Sequence, residues 1–120
     1  MKITTGCDLE EVARFEHLLQ KEHFCSRVFT EIERAKIQQS GHPVQTAAGI
    51  YCAKEALSKA LGRGLFGLQP GELGLTWNEQ GAPLVALTGS AAAQFGHLQI
   101  SISISHTKEI AMATCVALEA

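Results

Sequence analysis

Leu98-Gln99-Ile100-Ser101-Ile102-Ser103-Ile104-Ser105 places leucine or isoleucine at every second position with a polar residue between. Successive side chains of a strand point to opposite faces, so this period buries one apolar row and leaves a serine row to meet water, a subunit or a ligand. Past His106-Thr107-Lys108-Glu109 the period returns: Ile110, Met112, Thr114, Val116 and Leu118 alternate with Ala111, Ala113, Cys115 and Ala117. That predicts an antiparallel partner strand joined through a tight loop. Upstream, Leu73 to Trp77 and Pro83 to Leu87 flank Asn78-Glu79-Gln80-Gly81, a hairpin signature with glycine where positive φ is tolerated. Ser90 to Phe95 has room for a short helical turn.

The N-terminal half follows a helical period. Lys2 to Cys7 reads as a short strand ending at Asp8, after which Leu9, Val12, Phe15, Leu18 and Leu19 recur at helical spacing and predict an amphipathic helix. Thr30-Glu31-Ile32-Glu33 is a capping box, in which hydroxyl and carboxylate each satisfy an orphan backbone donor. A helix should therefore run from about residue 31 to about residue 39. Pro43 is a favourable first-turn residue, and Val44 to Leu61, closed by Gly62, predicts the longest helix. Helices preceding a mainly antiparallel sheet define an α+β chain, read as one domain over residues 1–120.

Composition narrows the function classes. With 120 residues, 46% of them hydrophobic and 18% charged, the chain can fill one core, which excludes disorder, collagen-like repeats and a two-domain enzyme. Ten Lys and Arg against twelve Asp and Glu give a net charge of −2, which argues against nucleic acid as a partner. The stretch from Leu73 to Ile104 is interrupted by Glu79, Gly81, Pro83 and Gly89, so no membrane span is expected. Asp8 arrives before an apolar signal segment could form, so the expected compartment is the cytoplasm. Cys7, Cys25, Cys52 and Cys115 lack metal-ligand spacing and read as reduced thiols. Arg14, Lys21, Arg27, Arg34 and Lys36 form a local basic run that suits an acidic partner.

Few residues carry chemistry on spacing alone. Tyr51, Glu55 and Lys59 fall at i, i+4 and i+8 of the long helix. They form either a solvated ion pair of a few tenths of a kcal/mol or, joined by Asp8, a two-carboxylate set of the kind that holds Mg²⁺ with substrate phosphates. His106 is either a polar turn residue or a ligand contact. Gly62-Arg63-Gly64 is either a helix cap or a phosphate-cradling loop.

In order along the chain, Gly6-Cys7-Asp8-Leu9-Glu10-Glu11 with Arg14, Phe24-Cys25-Ser26-Arg27-Val28-Phe29-Thr30 with Glu33, Ala53-Lys54-Glu55-Ala56-Leu57-Ser58-Lys59-Ala60-Leu61-Gly62, Gly81-Ala82-Pro83 and Ser103-Ile104-Ser105-His106-Thr107 resemble the holo-[acyl-carrier-protein] synthase family. The resemblance spans nearly the whole chain. It implies a 4'-phosphopantetheinyl transferase fold and an enzyme that uses Mg²⁺ and coenzyme A. Such an enzyme moves phosphopantetheine onto a serine of an acidic acyl carrier protein and releases adenosine 3',5'-bisphosphate. It also implies a homotrimer with active sites between subunits.

Carried over by position, Asp8 and Glu55 match the metal carboxylates and, with Lys59 near the pyrophosphate, the catalytic set. Ser105 and His106 match the end of the motif that lines the coenzyme A site, and Ser58, Lys59, Gly62, Arg63, Gly64, Pro83 and Thr107 are the further residues expected to bind coenzyme A. Arg14, Lys21 and Arg27 are the expected carrier contacts. The serine proton can pass to a carboxylate beside the metal or to a water on it. Rival readings are a paralogue that binds coenzyme A without transferring anything and a purely structural trimer-forming subunit.

Two departures stand out. Where the family usually has arginine, Ala48-Gly49-Ile50-Tyr51 carries isoleucine, which leaves a coenzyme A phosphate short of a partner worth about 1.5–3 kcal/mol. Arg63 is the nearest cation in sequence that could substitute. Gln20-Lys21-Glu22-His23 is also less basic than usual, which suggests docking tuned to a particular carrier.

Overall fold

A computed structural model describes all residues, Met1–Ala120. Strands β1 (Lys2–Glu11), β4 (Gln99–His106) and β5 (Ile110–Glu119) form an antiparallel sheet in the order β1-β5-β4. Strands β2 (Leu73–Trp77) and β3 (Pro83–Leu87) form a separate hairpin. The helices are α1 (Arg14–Leu18), α2 (Glu22–Val28), α3 (Glu31–Gln39), α4 (Pro43–Ala60) and α5 (Gly89–Phe95). Helices against an antiparallel sheet are the α+β arrangement the sequence predicts. No helix is long and apolar enough to cross a membrane.

The helix predicted after Asp8 is shorter than its period suggested. β1 continues through Glu11, pairing residue by residue with β5 from Lys2↔Glu119 to Glu11↔Ile110. A closed ladder of backbone hydrogen bonds outweighs one turn of helical spacing. Leu9 consequently points away from the core and is 67% exposed. Only Arg14–Leu18 is helical, and α2 adds a helix that the sequence reading did not assign. Phe24, Cys25 and Val28 carried its signal at i, i+1 and i+4. Phe24 stacks edge-on against Phe15 and Phe29 and tilts over Tyr51, tying α1 and α2 to α4.

α4 lies across one face of the three-stranded sheet. The sheet presents Ala111, Ala113, Cys115 and Ala117, and α4 answers with Ala53, Ala56 and Ala60, all buried. Small side chains on both surfaces let helix and sheet approach closely. The closest approach is at Gly6, where a Cβ would overlap the Ala56 carbonyl oxygen and lie 2.8 Å from the Ala60 nitrogen. Both obstacles are backbone, so neither can swing aside. Gly6→Ala is expected to lower unfolding free energy by about 1–3 kcal/mol or more, measured by urea titration, and an unchanged midpoint would contradict this packing.

Three local expectations match the structure. Thr30 and Glu33 form the reciprocal capping box of α3. α4 closes on Gly62 at φ +81, with Gly62 N–H donating to the Lys59 carbonyl and Arg63 N–H to the Ser58 carbonyl, the paired bonds of a glycine C-cap. In the β2–β3 loop Gly81 has φ +86, and Asn78 Oδ1 accepts from the N–H groups of Gln80 and Ala82.

The other face of the sheet carries no covering element. β1 contributes Ile3, Thr5, Cys7 and Leu9, central β5 contributes Ile110, Met112, Thr114 and Val116, and β4 contributes Ser101, Ser103 and Ser105, all of them exposed. The serine row therefore flanks an apolar one.

Candidate active site

The approach at Gly6 sets β1 beside α4 and so joins two motifs distant in sequence. Two residues beyond Gly6, on the inward-facing row of β1, Asp8 meets the flank of α4 that carries Glu55 and Lys59. Lys59 Nζ donates to the Cys7 carbonyl at 2.9 Å and lies 3.4 Å from Asp8 Oδ1. The Asp8 side chain is only 10% exposed, and its Oδ2 is buried with no hydrogen-bond partner. A buried carboxylate oxygen without a donor is costly, and a cation is what would satisfy it.

The surroundings of Asp8 are acidic. Burial first, then the Asp8 charge, raises the Glu55 carboxyl above its ordinary range, while Lys59, Tyr51 and Arg14 pull it back. Glu10, the next residue on the same row of β1, is pushed up to about 7 by burial and then by the neighbouring Asp8 carboxylate; Arg14 opposes both. Arg14 donates to Glu10 and places its guanidinium 5.7 Å from the ring centroids of both Phe15 and Tyr51. Sequence reasoning missed Glu10 as a member of this cluster. Strand parity carried the signal, since Asp8 and Glu10 share a face once β1 is known to pass Asp8.

No three His, Cys, Asp or Glu side chains converge closely enough to enclose an ion. An open pair of carboxylates suits Mg²⁺, which prefers hard oxygen ligands and usually keeps waters and substrate phosphates among them. Asp8 and Glu55, with the unsatisfied Asp8 oxygen between strand and helix, fit that donor set.

The remaining predicted residues are distributed unevenly. Ser58 is fully buried and its hydroxyl donates to the Glu55 carbonyl at 2.7 Å, so it reaches a ligand only by giving up that bond. Gly62, Arg63 and Gly64 follow the end of α4 and are exposed. Thr107 orders the β4–β5 loop: its hydroxyl oxygen accepts from Glu109 N–H and Ile110 N–H. Ser105 lies on the uncovered sheet face opposite Met112. Pro83 and His106 line a cavity of about 230 Å³ with Ile50 and Trp77. That cavity lies on the β4 side of α4, where Gly49 packs against Ile104, and Asp8, Glu55 and Lys59 lie on the β1 side. Among the expected carrier contacts, Lys21 is exposed ahead of α2 and Arg27 sits 4.5 Å over the Phe66 ring.

The sequence profile of the 4'-phosphopantetheinyl transferase superfamily matches residues 4–115. The chain belongs to that superfamily and, within it, to the holo-[acyl-carrier-protein] synthase family. It is 40% identical to the holo-[acyl-carrier-protein] synthase of Caldanaerobacter subterraneus subsp. tengcongensis over 98% of this chain and 96% of that protein. Its fold is similar to the coenzyme A complex of the synthase from Chronobacterium ammoniagenes, with TM-score 0.85, 26% identity and 98% of each chain covered. It also resembles the coenzyme A complex of the Helicobacter pylori holo-[acyl-carrier-protein] synthase, with TM-score 0.83, 29% identity and coverage of 95% of this chain and 99% of that one.

Proposed function

We propose that this chain transfers the 4'-phosphopantetheine arm of coenzyme A to a serine hydroxyl of an acyl carrier protein, assisted by Mg²⁺. The observation that carries this reading is the buried, unpartnered Asp8 Oδ2 set beside Glu55 and Lys59, in a chain of this family. In the reaction the serine oxygen forms a bond to the β-phosphorus of coenzyme A. The bond from that phosphorus to the bridging oxygen breaks, adenosine 3',5'-bisphosphate leaves, and the hydroxyl gives up its proton. When bound, Mg²⁺ supplies Lewis-acid neutralisation of phosphoryl oxygens. Asp8 and Glu55 hold the ion, and Lys59, half exposed, can turn from Asp8 to a phosphate oxygen. Little covalent chemistry is asked of the protein; positioning and charge stabilisation do the catalysis.

Incubating apo acyl carrier proteins with the chain, coenzyme A and Mg²⁺ should produce a phosphopantetheine mass gain, read by mass spectrometry. No gain on any carrier that a known transferase modifies would overturn the reading.

The proposed assembly is a homotrimer whose sites lie between subunits. Its support is the uncovered apolar sheet face, where Ile3 is 61% and Val116 43% exposed, and the division of the candidate residues between the two flanks of α4. Light scattering that gives a monomer mass at micromolar concentration would reject it. The four unpaired cysteines suit the reducing cytoplasm, the proposed location.

The acidic carrier is proposed to dock along α1 and α2 through Arg14, Lys21 and Arg27. Arg14 is tied to Glu10, so Arg27→Glu is the cleaner test. It should raise KM for the carrier severalfold with KM for coenzyme A unchanged, and equal effects on both would contradict docking there.

A further inference from the structure

Lys36, in the last turn of α3, has surroundings unlike those of the ion-paired Arg14, Arg34, Lys54 and Lys59. Lys36 Nζ stands 5.1 Å from the Trp77 ring centroid, and no carboxylate forms an ion pair with it. It faces the 230 Å³ cavity that Thr46, Ile50, Pro83 and His106 help to line, and no Asp or Glu lines that space. By contrast, the cavity at Lys108 is lined by Glu11, Glu16 and Glu109. An ammonium steadied by an indole face, beside an imidazole, a threonine hydroxyl and a proline ring, is a site for an anion attached to a flat apolar body.

Given the proposed function, the substrate offers such a group twice, at its pyrophosphate and at the 3'-phosphate of its adenosine. The pyrophosphate must sit where transfer occurs, with Asp8, Glu55 and Lys59 on the β1 side of α4. The β4 side, which in the proposed trimer a neighbouring subunit brings to the same site, is left for the other. We infer that Lys36 binds the 3'-phosphate of coenzyme A and sets the preference for the phosphorylated ribose. α4 supplies no cation on this flank, because Ile50 is there and is itself buried; α3 supplies one instead. Arg63, the candidate nearest in sequence, is not among the residues that line this cavity.

The test is calorimetric titration of the full chain with coenzyme A and with 3'-dephospho-coenzyme A. Trp77, the only tryptophan in the chain, reports by its emission whether the ligand reaches this cavity. The wild type should bind coenzyme A about tenfold or more tightly than the dephospho form. Lys36→Met should bring that ratio close to one, mainly by weakening coenzyme A. Lys36→Arg should keep most of it, and Arg63→Ala should leave it unchanged. Equal weakening of both ligands by Lys36→Met, or loss of the ratio in Arg63→Ala alone, overturns the assignment. A wild type that transfers phosphopantetheine yet binds both ligands equally overturns Lys36 and leaves the transferase reading intact. A wild type that binds neither overturns both.

Discussion

Replacing Glu55 with glutamine should leave a folded protein that has lost about 100-fold or more of its transfer rate. The amide matches the carboxylate in size, and Glu55 is only partly buried, so packing is preserved. What disappears is one of two negative ligands for Mg²⁺, together with the charge that sets the ion against the phosphoryl group. Without metal, the variant should be no less stable than the wild type. Burial and Asp8 raise the Glu55 carboxyl above its ordinary 4.5 in the folded chain, so the folded state holds that proton more tightly than the unfolded state. From 4.5 up to the raised folded value the unfolded chain binds fewer protons, and stability falls as pH rises. A neutral amide removes that loss at neutral pH. Thermal melts with and without Mg²⁺ separate the effects: the wild type should gain Tm with the ion and the variant should gain much less. Near-normal turnover of Glu55→Gln in saturating Mg²⁺ would remove Glu55 from the metal site.

Lys54, one residue earlier in the same motif, should give the largest stability loss in the chain while doing no chemistry. It and Glu33 are each fully buried and their charges lie 2.7 Å apart. Lys54 Nζ also donates to the carbonyls of Val28 and Pro70. Glu33 accepts from the backbone N–H of Thr30 at 2.9 Å and of Leu75 at 2.7 Å. The pair thus ties α3, the end of α2, the Pro70 turn and β2 to α4. Lys54→Met leaves the Glu33 charge buried without its partner, a loss of about 3–5 kcal/mol. Adding Glu33→Gln removes the orphaned charge and should recover part of it, since an amide oxygen can still accept one backbone bond. Urea denaturation of both variants checks this, and a Lys54→Met midpoint within error of wild type would mean that the pair is not closed in solution.

The contrast between Lys54 and Glu55 shows what the sequence made legible. Spacing placed both on one long helix, and the resemblance marked both as motif, but helix geometry alone could not say which faced ligand and which faced the core. That depended on Glu33, 21 residues away in sequence, and on two backbone carbonyls that no side-chain pattern records. The alternating strands, the capping box, the glycine-closed helix and the hairpin were readable because their signals are local. The end of β1 was not, because pairing with Ile110 and Met112 overrode a helical period. For the same reason Glu10 escaped notice beside Asp8. Lys36 was legible only as one member of a basic run, because its neighbour Trp77 lies on a different element.

The two flanks of α4 also bear on genetics. If one flank from each of two neighbouring subunits completes a site, lesions on opposite flanks lie in different halves of every shared site. Two chains, each dead alone, one altered at Asp8 and one at His106, would regain intact sites at some junctions when expressed together. Random mixing in equal amounts restores about a quarter of the junctions. Alleles of this gene would then fall into two complementation groups drawn by the two sides of one helix, and crossing them would map the assembly in a living cell.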